Sequence, residues 1–475
     1  MIKPFAKTKI LATIGPACDS EKTLLPLIES GVDGLRINFS HGSFDYFEKV
    51  FDTINKICIK KSLPIPILID LQGPKIRIGE LSLPSIELHN NDFIEITTED
   101  VLGTYQRVST SYQRLPQDAK IGDSILIDDG LIKLKIVEKS DISVTCKIIN
   151  GGILKPKKGM NLPGMQLSTP SFTKKDLANL EFALKYRVDY IALSFVRNAQ
   201  DIIDLKKWLD DHGYEKPIIA KIEKPEAVSN FDSILNVADG IMVARGDLGV
   251  ELQPHEVPII QKRIIRRCNE LGKLVITATQ MLESMVNNPV PTRAEASDVA
   301  NAVWDGTDVV MLSAETSVGK FPEQAVKVMK EIIINSEKAY EFERKIDFVK
   351  PEFIDRNLFE SMNQGICSIS KQINAKAIIA FTAKGDTPTN LSKFRPHAKI
   401  IAVSDSFDAM NKLALKWGVV SVFCEDISDR QKAAVKAREI MLKEYLIEEG
   451  DLVIFTEGGL KIKNVRENWI RFEVI

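Results

Sequence analysis

The chain is 475 residues long, 44% hydrophobic, with a formal net charge of −2 and a pI near 6.3. That length suits about three domains with sizeable cores, and the balanced charge argues against wholesale binding to nucleic acid or to an anionic membrane. Cys18, Cys58, Cys146, Cys268, Cys367 and Cys424 lie far apart with no CxxC, the start MIKPFAKTK has no apolar signal core, and no stretch approaches a membrane span, so reduced thiols and a cytoplasmic location are expected.

In chain order, residues 9–14 read as a strand closed by Gly15-Pro16, and 24–30 as a helix stopped by Gly31. A second strand over 34–39 ends in Arg36, Asn38, Ser40 and His41. A helix over 44–60 and a third strand over 66–70 follow. The rhythm then changes. From 79 to 163 the short alternating runs 93–97, 124–127, 131–137 and 144–149 are separated by turn signals at Asp129-Gly130 and Asn150-Gly151-Gly152. This predicts a small β domain inserted into the α/β unit. Thr173-Lys174-Lys175-Asp176 has the form of a capping box, opening a helix through about 186. Strands are expected at 190–195, 217–222, 240–244, 274–278 and 309–312, with one helix over 225–237 and another after Phe321. Three strands before the insertion and five after it, alternating with helices, predict a (β/α)8 TIM barrel. A polar connection over 336–356 leads to strands at 377–381, 399–403, 419–423 and 452–456 and a short one near Ile470, a C-terminal α/β domain with a mostly parallel sheet. The expected division is 1–70 with 167–340 for the barrel, 71–166 for the insertion and 341–475 for the C-terminal domain.

The stretch 217–251, PIIAKIEKPEAVSNFDSILNVADGIMVARGDLGVE, ends one strand in Lys221-Ile222-Glu223 and the next in Arg245-Gly246-Asp247. Alternate residues of a strand share a face about 7 Å apart. Alone, the stretch reads first as a solvated ion-pair rim. Barrel enzymes, however, build their chemistry at the C-terminal ends of strands. Those ends collect Arg36, Asn38, Ser40, Asp70, Arg77, Ser194, Lys221, Glu223, Arg245, Asp247, Thr279, Gln280, Ser313 and Glu315. Carboxylates are hard oxygen ligands that suit Mg2+. Arginines suit phosphate or carboxylate, and Gly246 allows backbone approach to a substrate carboxylate. Lys221 beside a cation would stabilise charge on an enolate or a transferring phosphoryl group. No Ser-His-Asp order, GxSxG, GxxxxGK[ST] or GxGxxG after a strand is present.

The segments TKILATIGPA from Thr8, LRINFSHG from Leu35, LIDLQGPKIRIG from Leu68, KKGMNLPG from Lys157, ALSFVRN from Ala192, AKIE from Ala220, MVARGDLGVEL from Met242, TATQMLESM from Thr277, the long PTRAEASDVANAVWDGTDVVMLSAETSVGKFP from Pro291 and FRPHAKIIAVS from Phe394 carry a resemblance. On them the chain resembles the pyruvate kinase family over almost its whole length. The resemblance implies transfer of a phosphoryl group from phosphoenolpyruvate to ADP, giving ATP and pyruvate, in a homotetramer. It implies Mg2+ (or Mn2+) on Glu223 and Asp247, and catalytic roles for Lys221, Thr279, Arg36 and Lys75. Substrate contacts would come from Arg36, Arg77, Lys221, Ala244, Arg245, Gly246, Asp247 and Thr279, and nucleotide contacts from Asn38, His41, Arg77 and Lys158. The inserted domain would act as a lid. Asn38, Ser40, Asp70 and Leu71 match monovalent-cation positions, but Lys75 stands where K+-dependent members carry Glu, which implies independence of K+. Thr382, Lys384, Gly385 and Thr387 keep the shape of an effector-phosphate loop, whereas Asp386 and a short loop at 456–460 argue against bis-phosphate activation. Two rivals differ in what they need. A Mg2+–enolate aldolase would not need the lid or KKGMNLPG. A non-catalytic homologue predicts loss of Lys221, Glu223, Asp247 or Thr279, and all four are present.

Overall fold

Eight short apolar runs close on one another as parallel strands: β1 (Lys9–Thr13), β2 (Gly34–Asn38), β3 (Ile67–Leu71), β4 (Tyr190–Leu193), β5 (Ile218–Ile222), β6 (Gly240–Ala244), β7 (Leu274–Ala278) and β8 (Val309–Leu312). The computed structural model describes residues 5–40, 42–165, 168, 170–341, 358–462 and 465–475. β1 pairs with both β2 and β8, which shuts the barrel. The runs are continuously apolar because both faces of each strand are covered. One set of side chains (Leu11, Leu68, Tyr190, Ala192, Ile219, Met242, Ile276, Met311) fills the barrel interior. The alternating set packs under the helices in one large cluster.

The capping box is formed, Thr173 and Asp176 bonding reciprocally, but its helix is Lys174–Ala183 and ends before 186. The helix expected over 225–237 is two, Pro225–Ser229 and Phe231–Val237. The break falls at Asn230, whose side-chain amide donates to the Arg197 carbonyl (2.9 Å); a short amide side chain competes well with helical geometry. The helix Pro322–Glu341 runs through the first residues of the expected polar connection, and the remainder of that connection, 342–356, lies outside the described residues.

The insertion has its own apolar cluster, from Ile76 to Met165. Its larger sheet has six strands, Met160–Asn161, Ser124–Ile127, Ile132–Lys139, Ser143–Asn150, Phe93–Thr97 and Arg107–Ser109 in spatial order. Ile86–Leu88 and Gly152–Leu154 form a separate two-stranded pair. The two- and three-residue strands are too short to show a period in the sequence.

The C-terminal sheet contains β9 (Ala377–Phe381), β10 (Lys399–Ser404), β11 (Val419–Phe423), β12 (Leu452–Ile462) and β13 (Val465–Val474), in the order β11-β10-β9-β12-β13. β9 to β12 are parallel and β13 returns antiparallel along β12. Two expectations are corrected here. The last strand is ten residues long, not short. Residues 456–460 are not a loop: they continue β12, with a register irregularity between Glu457 and Leu460 that takes up Gly458-Gly459. All six cysteines are buried and free. Among the described residues no helix is long and apolar enough to cross a membrane.

Candidate active site

Strand parity places the site. Continuing each inward-facing row by one step of two residues leads from Leu11 to Thr13, Leu68 to Asp70, Ala192 to Ser194, Ile219 to Lys221, Met242 to Ala244 and Ile276 to Ala278. On four of these strands a polar residue (Thr13, Asp70, Ser194, Lys221) therefore replaces an apolar one where the barrel interior opens at its C-terminal end, whereas Ala244 and Ala278 remain apolar.

They form one network. Arg36 spans two strands, donating Nη1 to Thr13 Oγ1 (3.0 Å) and both Nε and Nη2 to Asp70 Oδ2 (2.9 and 2.7 Å). The other oxygen of Asp70 accepts from Lys221 Nζ (3.3 Å) and from Ser194 Oγ (3.2 Å). Lys221 also donates to Ser194 Oγ (2.7 Å) and pairs with Glu223 Oε1 (2.8 Å). The Phe195 N–H donates to Glu223 Oε2 (2.7 Å). All the charged members are buried, Asp70 and Glu223 only 1% exposed.

Burial opposes charge on Asp70, but Lys221 and Arg36 outweigh it and hold the carboxyl below its usual range. Burial also works against the Lys221 ammonium, and Asp70 and Glu223 more than restore it, so Lys221 stays protonated. Glu223 goes the other way: burial, together with the charge of Asp247, pushes its carboxyl up against the pull of Lys221. A pair of carboxylates in that condition is relieved by a divalent cation. Mg2+ takes one or two carboxylates and completes its shell with water and substrate oxygens. Among the described residues no group of three or more His, Cys, Asp or Glu gathers into a cage. The donor set thus fits a hard cation on Glu223 and Asp247.

β6 runs directly into a seven-residue helix, Arg245–Glu251, beside Thr279. The Gly246 N–H donates to Thr279 Oγ1 (2.8 Å), and that hydroxyl donates to the Ala278 carbonyl (2.6 Å). Thr279 and Gln280 sit at φ 69° and 52°. Left-handed backbone is a genuine outlier for a β-branched residue, and such strain persists only where the surroundings impose it.

Not every strand-end residue joins this group. The Arg245 guanidinium turns instead to Asp298 (2.7 Å) and to the Thr279 and Ala278 carbonyls (2.7 and 3.4 Å). It braces the Thr279 turn, so its side chain does not meet the others at the mouth. Glu315 accepts the N–H groups of Leu282 and Ser313 (3.1 and 2.7 Å) and ties two loops together. The Asn38 side chain accepts the Ser40 N–H (3.0 Å). From the insertion, Arg77 Nη1 donates to the Lys157 carbonyl (3.0 Å), and Lys158 pairs with Asp128 (2.8 Å). Lys75 is exposed and lines, with Phe195, Arg197 and Asp247, the cleft where the insertion meets the barrel. Its ammonium makes no ion pair or side-chain hydrogen bond among the described residues, with Asn38, Ser40, Asp70 and Leu71 or with any other. His41 lies outside the described residues.

Residues 5–326 match the family described as pyruvate kinase, barrel domain, and residues 360–471 the one described as pyruvate kinase, alpha/beta domain. The chain belongs to the pyruvate kinase family. A curated pyruvate kinase of Staphylococcus epidermidis is 42% identical over 454 residues, 95% of this chain and 77% of the relative. One of Staphylococcus aureus (strain MRSA252) is 41% identical over the same shares. The crystal structure of a pyruvate kinase from Cryptosporidium parvum superposes with a TM-score of 0.90 at 36% identity, covering 98% of this chain and 96% of that one. The enzyme is a phosphotransferase of glycolysis: it moves the phosphoryl group of phosphoenolpyruvate to ADP, giving ATP and pyruvate.

Thr13, Phe195 and Asp298 hold Arg36, Glu223 and Arg245 in this candidate site, and their own sequence settings do not mark them as doing so. For Thr13 the signal was its parity with Leu11. In the C-terminal domain the Gly385 N–H donates to Thr382 Oγ1 (2.8 Å), and Gly385, at φ 97°, caps the helix Asp386–Lys393. Thr387 Oγ1 donates to the Gly458 carbonyl (3.5 Å). Lys384 and Gly385 face a broad cleft shared with Lys206, Lys412 and Lys416.

Proposed function

We propose that the enzyme carries out this transfer with Mg2+ (or Mn2+) on Glu223 and Asp247 and without K+. The observation that carries it is the Lys221 ammonium, fixed by Asp70, Ser194 and Glu223 beside a pair of carboxylates whose charges oppose each other. When bound, the cation supplies electrophilic stabilisation to phosphoryl and enolate oxygens. The protein does the rest. The turn at Ala244, Arg245, Gly246 and Asp247, with Thr279, receives the substrate carboxylate. Arg36, Arg77 and Lys221 meet the phosphoryl group. As the bond from phosphorus to the enol oxygen breaks and one to an ADP phosphate oxygen forms, Lys221 faces the negative charge left on the enolate. Asn38, His41, Arg77 and Lys158 hold the nucleotide, and the insertion, residues 71–166, closes as a lid that keeps water from competing with ADP. The enolate carbon then gains its proton on the Thr279 side.

Independence of K+ rests on Lys75. Its ammonium, unpaired among the described residues, lines the seam that includes Asp247, so it can swing inward where a monovalent ion would otherwise neutralise charge around Asn38, Ser40, Asp70 and Leu71. Pyruvate formation is followed by a coupled assay in K+-free, Na+-free buffer with Mg2+. Full activity is expected there, and Lys75→Glu should create a K+ requirement; a large stimulation of the unaltered enzyme by KCl would refute the reading. The assignment further includes a cytoplasmic homotetramer. It also includes an effector-phosphate nest at Thr382, Lys384, Gly385 and Thr387 in the domain 341–475, weak toward bis-phosphates because β12 has no loop at 456–460 to close over them.

A further inference from the structure

The lid touches the barrel at a point the transfer itself does not use. Asn161, at the end of the lid strand Met160–Asn161, donates Nδ2 to Glu251 Oε1 (2.9 Å). Glu251 is 7% exposed. The same oxygen lies 3.5 Å from Lys224 Nζ, and Oε2 is buried with no hydrogen-bond partner. A carboxylate in that state tolerates no further loss of bonds, because an unsatisfied buried acceptor bears its full desolvation cost.

Both ends of this contact belong to elements with site roles. Glu251 is the last residue of the helix Arg245–Glu251, whose first turn carries Gly246 and Asp247. Asn161 follows Lys158 by three residues, and its strand is held to the turn that pairs with Lys158: the Asp128 N–H donates to the Gly159 carbonyl (3.1 Å), and Met160 pairs with Ile127. The same turn passes near the helix: a Cβ built on Gly130 would come within 3.8 Å of the Val250 side chain. The lid therefore rests on the far end of the helix that begins at the substrate turn.

We propose that Glu251 is a positioning residue that couples the two substrates, a role that rests on the assignment of the 244–247 turn to the phosphoenolpyruvate carboxylate. A helix of two turns is stiff, so occupancy of its first turn fixes the Glu251 carboxylate. Glu251 fixes Asn161, and Asn161 holds the lid strand with Lys158 where the nucleotide phosphates arrive. The coupling is reciprocal, since either ligand stabilises the arrangement that favours the other.

The test uses a pair that does not react. Mg2+–ADP is titrated calorimetrically into the full-length enzyme with and without saturating oxalate, a planar dianion of the enolate's shape. In the unaltered enzyme oxalate tightens ADP binding. In Asn161→Ala most of that gain is lost, about tenfold for a hydrogen bond to a charged group, while oxalate affinity without nucleotide stays unchanged; the melting midpoint falls because Glu251 loses a bond, and it falls equally with and without oxalate. Glu251→Gln, which keeps an acceptor oxygen but not the charge, falls between. Full coupling in Asn161→Ala, or no coupling in the unaltered enzyme, overturns the proposal. Oxalate that binds without competing with phosphoenolpyruvate overturns the assignment of the turn, and the proposal with it.

Discussion

Replacing Lys221 by Met keeps most of the side-chain stem and removes the ammonium. Asp70 retains its two bonds from Arg36, so the loss falls mainly on Glu223, which keeps the Phe195 N–H and still faces Asp247. Two unit charges 4 Å apart interact by about 4 kcal/mol at an effective dielectric near 20, and the pair here is closer, 2.8 Å, and nearly dry. Breaking a buried pair by deleting one partner costs about 3–5 kcal/mol. With Asp70 still served, the expected stability loss is about 3 kcal/mol, partly recovered in Mg2+, which takes over the neutralisation of Glu223. The catalytic loss is separate. One preorganised donor is worth about 100- to 1,000-fold in kcat. A full positive charge in a water-poor mouth belongs at the upper end, so a fall of about 1,000-fold is expected. A coupled pyruvate assay measures it, and melting curves with and without Mg2+ measure the rest. A variant that stays folded, binds Mg2+–ADP and turns over within about tenfold of the unaltered enzyme would refute the role given to Lys221.

The Asp70→Asn variant tests the same network through pH. Because the folded-state carboxyl titrates below its ordinary value, Asp70 contributes stability above about pH 4 and loses it as pH falls through its folded-state value. Denaturant midpoints should thus show this variant weaker than the unaltered enzyme by about 3 kcal/mol at pH 7, with the gap shrinking as acid is added from about pH 4 downward; a gap that persists in acid contradicts the assignment. Arg245→Lys retains the charge but not the planar fork that holds Asp298 and the Thr279 carbonyl together. It should lower stability by about 2 kcal/mol and raise KM for phosphoenolpyruvate more than KM for ADP, which initial-rate kinetics resolve.

Much of the barrel was legible because a parallel strand covered on both faces is a continuous apolar run. β6, β7 and β8 were placed residue for residue by that signal alone. The site residues were legible as chemistry but not as partners. Lys221 and Glu223 read as neighbours on one strand, yet the group that organises them is Asp70, contributed by a strand 151 positions earlier. Arg245 shows the converse. Its sequence setting resembles that of its neighbours, but its side chain lies on the other side of the turn, a choice made by Asp298 on a later helix. Gly458-Gly459 misled for a local reason: two glycines read as a loop where a paired strand absorbs them as a bulge. Short strands of the insertion escaped because two or three residues carry no period.

The mouth of the barrel contains two fixed cations, Arg36 and Lys221, against three carboxylates, Asp70, Glu223 and Asp247. With every group ionised, the excess is negative, and a substrate bearing phosphate and carboxylate meets repulsion at the door. A divalent ion reverses that sign. On the proposed assignment of the ion to Glu223 and Asp247, the buried network favours metal ahead of phosphoenolpyruvate, and release of both products would depend on how tightly those two carboxylates keep it.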